Sequence, residues 1–214
     1  MIFYFCTMNN KLSTFKKISP AILYVGTPVA LITTVDEHGN DNIGPMSSVW
    51  ALDQYLVLGL REASRTFQNL IQQKQCVINF PYYSLFEQVE NIADLTGLNP
   101  VPEYKKDRYR YSADKFAAGN FSRLPSMEVV PPRIAECPIQ MEAVLKDVLY
   151  LPDNSANYMK AAALCVEVLC VYAQEAFIIE KNHIDPSKWN PLIYNFRHYF
   201  GLGKELGKTF RAEI

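Results

Sequence analysis

Residues 28–50 read PVALITTVDEHGNDNIGPMSSVW. The first eight, PVALITTV, are apolar or β-branched on both alternating faces, the pattern of a strand buried on both sides. Asp36-Glu37-His38-Gly39-Asn40 then supplies a hairpin loop, with Gly39 free to adopt a left-handed backbone. A second strand is predicted over 42–50, broken at Gly44-Pro45, because proline removes a ladder donor and glycine leaves no side chain to pack.

The neighbouring segments extend this pattern. Residues 55–60 (YLVLGL) read as a third strand. The period then changes: Phe67, Leu70 and Ile71 fall at i, i+3 and i+4 behind Ser64, which predicts a helix over 65–73 with Ser64 as its N-cap. Residues 76–80 (CVINF) return to strand. Residues 82–97 predict a helix ending at Gly97, followed by a polar, Pro-bearing loop through Tyr111. Further on, Ile139, Met141, Ala143 and Leu145 alternate with Gln140, Glu142 and Lys146, as in a half-buried antiparallel strand. Leu164, Val166, Val168, Cys170 and Tyr172 alternate again, and 176–180 continues the pattern. From His183 onward the chain is aromatic, Gly-bearing and irregular. The expected fold is mainly β, a closed antiparallel barrel with a few peripheral helices on its outside, in one domain over 18–214 after an N-terminal extension of 1–17. Strands and helices do not alternate regularly, which excludes a doubly wound sheet.

The chain has 214 residues, 49% of them apolar, enough for a sizeable core. Nine Gly and 13 Pro stay far below the roughly 25–30% of low-complexity chains. A net charge of −1 gives no basic footprint for nucleic acid or an anionic membrane. The longest apolar stretch, 161–173, falls short of the roughly 20 residues of a membrane span and carries Glu167. The start, MIFYFCTMNNK, lacks the basic region of a signal peptide, and Met8 is an alternative start; a cytoplasmic location is expected. Cys6, Cys76, Cys137, Cys165 and Cys170 are odd in number and form no CxxC, so they read as ordinary buried thiols in a reducing compartment. His38, His183 and His198 are too few for a metal cluster, and no metal site is expected. His38 and His183 read as solvent-facing, Trp50 and Trp189 as packing residues.

Two nucleotide motifs near the C-terminus fail on spacing. In Gly201-Leu202-Gly203-Lys204-Glu205-Leu206-Gly207-Lys208-Thr209, the first glycine of a phosphate-binding loop would have to be Leu202. The third glycine of GxGxxG would have to be Leu206. A Rossmann-type dinucleotide site is therefore excluded.

The chemistry-bearing segment is Arg61-Glu62-Ala63-Ser64-Arg65-Thr66, between a strand and a helix. Helix N–H groups, two hydroxyls and two guanidinium groups there suit a phosphate; the competing reading is a plain N-cap with solvated arginines. Residues 42–50 place Gly, Pro and Ser inside a strand, leaving backbone groups free to meet a planar polar ligand; the competing reading is an edge strand with a bulge. The run Tyr104–Tyr111 (YKKDRYRY) mixes cations with aromatics and reads as a solvated loop or dimer contact.

With these strings in order, followed by CVINFP, ADLTG, ADKFAAG, PPRIAECPIQME and HIDPSKWNPLIYNFRHYFGLGKELG, the sequence resembles the flavin reductase-like family from about Ile18 onward, most nearly its flavoredoxin-like branch. The resemblance implies an FMN-binding antiparallel split β-barrel. It implies that Met46, Ser47, Ser48 and Val49 face the isoalloxazine and ribityl chain. Arg61, Ser64, Arg65 and Thr66 would bind the phosphate, and Asn79 would lie alongside the flavin. His198, Tyr199 or Phe200 would either approach the ring or pin the tail by aromatic packing. Homodimers are implied as well.

The function implied is an FMN-dependent oxidoreductase that takes hydride from NADH or NADPH and passes electrons to a small-molecule or protein acceptor. The alternative is an FMN-binding electron carrier without NAD(P)H activity of its own. No catalytic side chain is assigned, since hydride transfer to a flavin requires no acid–base residue. A split-barrel dimer that has lost its cofactor is weaker, because the hydroxyl and Arg positions remain filled. A pyridoxamine-phosphate oxidase-like relative fits the C-terminal strings less well.

Overall fold

A computed structural model describes residues 15–152 and 160–210; Cys6, Met8 and most of the expected extension lie outside the described residues. After β1 (Val25–Pro28), the apolar run becomes β2 (Ala30–Val35), buried throughout. Ala30 and Ile32 face one core and Leu31 the other, the two-sided burial that its pattern demands. The Asp36 carboxylate accepts hydrogen bonds from the backbone N–H groups of His38 and Asn40, each at 2.9 Å, and so closes the hairpin. His38 lies on the surface of this loop, beside Glu37.

β3 (Asp41–Met46) returns antiparallel to β2 and runs straight through Gly44-Pro45. The expected break lies two residues later, at Ser47-Ser48, before β4 (Val49–Leu52). β3 is an edge strand, and a proline whose nitrogen faces away from the strand's only neighbour removes no ladder bond.

β5 (Tyr55–Arg61), α1 (Arg65–Gln73) and β6 (Gln75–Phe80) follow as read. The helix expected over 82–97 is a 3-10 turn and a short α2 (Phe86–Glu90). Beyond it, β7 (Leu95–Thr96) pairs in parallel with β8 (Arg110–Tyr111). After α3 (Lys115–Ala118), β9 (Arg123–Leu124) pairs with β10 (Arg133–Ile134). The long strands β11 (Ile139–Tyr150) and β12 (Ala161–Ala173) form an antiparallel pair. The strand expected over 176–180 is a 3-10 turn leading into β13 (Ile178–Ile179), which pairs with β14 (His183–Ile184). His183 is half-buried there rather than solvent-facing. The tail taken as irregular forms β15 (Ile193–Asn195) and β16 (His198–Phe200), a hairpin that joins β1 in a three-stranded sheet.

The main sheet is antiparallel, in the order β3-β2-β6-β11-β12-β5-β4. Laid flat, seven strands would hold β3 and β4 about 29 Å apart. Yet Ser47-Ser48 alone connects these edges, and three residue steps span at most about 11 Å. The sheet must therefore roll until its edges nearly meet. The closed barrel expected from the strand pattern needs correction: no hydrogen-bonded ladder closes the roll among the described residues, so the barrel has a seam.

One core fills the roll, with Phe67 and Leu70 of α1 packed into it; the other, including Phe116 and Ile134, lies outside. The half-buried reading of β11 needs correction: Gln140 and Glu142 on its polar face are buried. The segment around β10 covers them. Gln140 donates to the Ile134 carbonyl at 2.6 Å, and Glu142 accepts the Glu128 N–H at 2.6 Å. Trp189 packs against Tyr82 and Phe177, whereas Trp50 is exposed on the outer face instead of packed. The four described cysteines are free; Cys76 and Cys137 are buried as expected, whereas Cys165 and Cys170 on β12 are only half-buried, and burial pushes the Cys76 thiol up to about 12. Among the described residues no cluster of His, Cys, Asp and Glu could hold a metal, and no helix is long and apolar enough to cross a membrane.

Candidate functional site

The seam opens into a cleft of about 770 Å3, within the roughly 300–1,000 Å3 of small-molecule sites. Met46, Ser47 and Ser48 line it from the crossing between the two edges. The Ser48 hydroxyl hydrogen-bonds the Tyr24 hydroxyl at 2.5 Å, and the Ser48 carbonyl accepts the Gly59 N–H at 2.8 Å. A Cβ on Gly59 would stand 2.8 Å from the Ser48 Cβ, so only glycine lets the crossing pass this close.

Next to the crossing, β5 ends at Arg61 and the chain turns into α1. Ser64 caps the helix, its hydroxyl accepting the Phe67 N–H at 3.2 Å. The N–H groups of the first turn have no intrahelical acceptor and carry the positive end of the helix dipole. Arg65 Nε donates to the Gly97 carbonyl at 3.0 Å, which fixes the guanidinium beside the helix start. Two buried pairs seat α1 on the sheet: Asn69 donates to Thr34 Oγ1, and Asn42 donates to Thr66 Oγ1, both at 3.1 Å. A Cβ on Gly44 would lie 2.2 Å from Thr66 Oγ1, so glycine is required for β3 to approach the helix. Asn42 Oδ1 is buried without a hydrogen-bond partner.

Arg61, Ser64, Arg65 and Thr66 thus share the cleft with Met46, Ser47 and Ser48. Val49 and Asn79 do not join them. Val49 faces the apolar core because β4 resumes its alternation one residue after the crossing. Asn79 is fully buried; it donates to the Leu31 carbonyl and accepts the Ile134 N–H, both at 2.9 Å. It ties β6 to β2 and β10 and is not among the residues lining the cleft.

The run read as a solvated loop or dimer contact brings Tyr104, Lys105, Arg108 and Tyr109 to the cleft. Its mixture of cations and aromatics was the available signal. Lys115, at the start of α3, also lines the cleft, and its ammonium donates to the Ile43 carbonyl at 2.8 Å. Burial, reinforced by repulsion from Lys105, pushes Lys115 down to about 8. Glu90 is the single carboxylate among the lining residues.

The opposite wall is aromatic. Tyr194 packs edge-on against Tyr24 and Tyr199, at centroid distances of 5.6 and 5.9 Å. The Tyr199 hydroxyl donates to Glu90 at 3.0 Å; burial, then this bond and the carboxylate's charge, raises its pKa. Of His198, Tyr199 and Phe200, only Tyr199 lines the cleft. Arg197 joins it from a two-residue turn in which Phe196 and Arg197 both have positive φ, 46° and 70°. The cleft therefore has a cationic end, a hydrogen-bonding middle and an aromatic end.

Residues 23–203 match the flavin reductase like domain family. The uncharacterized protein YdfE of Bacillus subtilis (strain 168) is 46% identical over 200 residues, covering 93% of this chain and 95% of YdfE. Among solved structures, flavoredoxin of Desulfovibrio vulgaris (Miyazaki F) superposes with a TM-score of 0.73 at 20% identity, over 92% of this chain and 99% of its own. A protein of Shewanella frigidimarina assigned as a flavin reductase with a split barrel domain superposes with a TM-score of 0.68 at 21% identity, over 87% of each chain. At these identities the two structures establish the fold.

Proposed function

Because this chain belongs to the flavin reductase-like domain family, we propose that its cleft binds FMN and that the protein is an oxidoreductase passing electrons from NADH or NADPH to a small-molecule or protein acceptor. The observation that carries this reading is the convergence, in one cleft, of the start of α1, Arg61, Arg65 and the Ser47-Ser48 crossing.

The residues present fit the group. A phosphate suits the first turn of α1, with Ser64 and Thr66 beside it and two guanidinium groups to neutralise it. Asn42 supports the same end: turning its amide over would let Thr66 donate to Oδ1 and free Nδ2 to donate to an anion. Met46 and the backbone at Ser47-Ser48 would lie along the ring, where N–H groups stabilise negative charge. The flavin, when bound, supplies the hydride and electron chemistry; the chain binds it, orients it and sets its surroundings.

Homodimerisation is part of the proposal. Trp50, Leu52 and Tyr55 on the β4–β5 hairpin and Leu169 and Val171 on β12 are exposed apolar side chains on neighbouring strands, the kind of surface a second copy covers. A reducing, cytoplasmic setting suits the free thiols.

The test is the visible absorbance spectrum of the purified protein before and after anaerobic NADH or NADPH. A yellow protein that bleaches supports the oxidoreductase. A yellow protein that stays oxidised identifies an electron carrier served by a separate reductase. A colourless protein that also fails to take up FMN refutes the reading.

A further inference from the structure

The run Tyr104–Tyr111 carries four cations, which the fold sorts into two pairs. Lys106 is ion-paired with Glu103, and Arg110 holds Asp94 through Nε and Nη2 at 3.1 and 2.8 Å. Lys105 and Arg108 have no carboxylate partner among the described residues, and both line the cleft. The Tyr104 hydroxyl donates to the Ala63 carbonyl at 3.2 Å and so pins the loop onto the turn that carries Arg61 and Arg65. Lys105 sits between two rings, its Nζ 5.7 Å from the Tyr104 centroid and 5.1 Å from that of Tyr109. Burial and repulsion from Arg61 both disfavour its charge.

Two guanidinium groups and a helix N-terminus already match a phosphate monoester, which carries at most two charges near neutral pH. Lys105, near enough to Arg61 to be repelled by it, and Arg108, three residues on in the same loop, add two cations without carboxylate partners among the described residues and exceed that need, and like charges held together are stabilised by an anion between them. We propose that Lys105 and Arg108 form a subsite for a second phosphate, so that the cleft prefers a diphosphate ligand over a monophosphate. The proposal rests on the flavin reading only in giving the first phosphate to the 61–66 turn. The diphosphate can come from a flavin dinucleotide or from a nicotinamide dinucleotide.

The test begins with calorimetric titration of inorganic phosphate and pyrophosphate. Wild-type protein should bind pyrophosphate at least about tenfold more tightly than phosphate. Lys105→Gln with Arg108→Gln should abolish that preference while phosphate binding is kept, and Lys106→Gln should leave it intact. Arg108→Gln alone, an exposed change checked by thermal unfolding, should reduce the preference without any folding defect. No preference in the wild type, or equal loss of both anions in the variant, overturns the proposal.

FMN, FAD and NADH then separate the sources. Selective loss of FAD affinity in the double variant assigns the subsite to a flavin dinucleotide. A raised KM for NADH with FMN affinity unchanged assigns it to the nicotinamide dinucleotide. FMN affinity falling as far as the others overturns the proposal. If wild-type protein binds no flavin, the flavin reading fails, and the pyrophosphate comparison still decides this one.

Discussion

The two ends of the cleft are built on opposite principles. At the cationic end, Thr66 is buried, its hydroxyl is bonded to Asn42, the helix behind it is capped, and Gly44 leaves no slack beneath it. At the aromatic end, the β15–β16 hairpin is backbone-paired to β1 on one side only, and it meets the cleft through edge-on rings and one hydroxyl–carboxylate bond, with a turn that is exposed and conformationally costly. Holding an anion requires donors fixed in advance of binding, because reorganising them consumes the electrostatic gain. A wall that must admit a second reactant can be looser. The first end should therefore be brittle to small changes and the second tolerant of them.

The sharpest way to break this comparison is Gly44→Ala. The added methyl meets Thr66 Oγ1 at 2.2 Å, and rotating the threonine would give up its bond to Asn42 while leaving its Cβ at 3.2 Å. Either β3 or the start of α1 must move, at a cost of about 1–3 kcal/mol. Urea unfolding should show that loss, and FMN affinity should fall at least about tenfold as the donors leave their places. Full stability with unchanged FMN affinity would mean that the cationic end is not preorganised.

The same contrast governs what could be read from the sequence. The 61–66 turn was legible because everything that defines it is local: a strand end, a cap and a helix start within a dozen residues. So were β2, whose unbroken apolar and β-branched run marks burial on both faces, and α1, whose 3.6-residue period is written in its own residues. The break at Ser47-Ser48 was not, because Gly44-Pro45 is a disruption only in an interior strand, and edge status depends on pairing with β2 alone. The surroundings of Asn79 were not legible either: the family resemblance set it alongside the flavin, whereas the partners of its amide, on β2 and β10, are remote in sequence. The same holds for Gln140 and Glu142, whose partners arrive with a segment that no alternation rule places. Lys105 and Arg108 differ from Lys106 and Arg110 only in what the fold sets beside them. The aromatic end is assembled from Tyr24 just before β1, Glu90 of α2 and the chain's last strands, so no stretch of sequence contained it.

A gentler probe of the cationic end is its pH dependence. In the free protein, Lys115 is pushed down to about 8, whereas its ordinary value is 10.5. A folded value below the unfolded one means that the unfolded chain holds more protons between these limits, so the penalty for burying the charge is present below about pH 8 and fades up to the ordinary value. A bound anion favours the charged ammonium and raises its pKa again. FMN affinity should therefore weaken as pH rises, by about tenfold between pH 7 and 9, and Lys115→Met should flatten the profile. A slope unchanged in the variant would place the titrating group elsewhere.

The smallest effect tests the tolerant end. Between the paired residues Asn195 and His198, two positive-φ residues make a type I′ turn, which favours Asn-Gly, and here Phe196-Arg197 occupies it. A left-handed backbone costs an ordinary residue roughly 1–2 kcal/mol, and asparagine less. Phe196 is 44% exposed, so replacing it gives up little apolar packing. Phe196→Asn should accordingly stabilise the protein by about 1 kcal/mol, a rise of about 2–4 °C in Tm, with FMN affinity unchanged. Arg197→Gly should stabilise similarly but also remove a cation from the cleft, so any rise in KM for NADH specific to that variant would mark the guanidinium as the reason for keeping a costly turn. The Phe196 N–H donates to the Tyr24 carbonyl at 3.0 Å, and that bond survives either substitution. If Phe196→Asn instead destabilises the protein, the exposed ring must be held by contacts as demanding as those around Thr66, and the distinction between the two ends collapses.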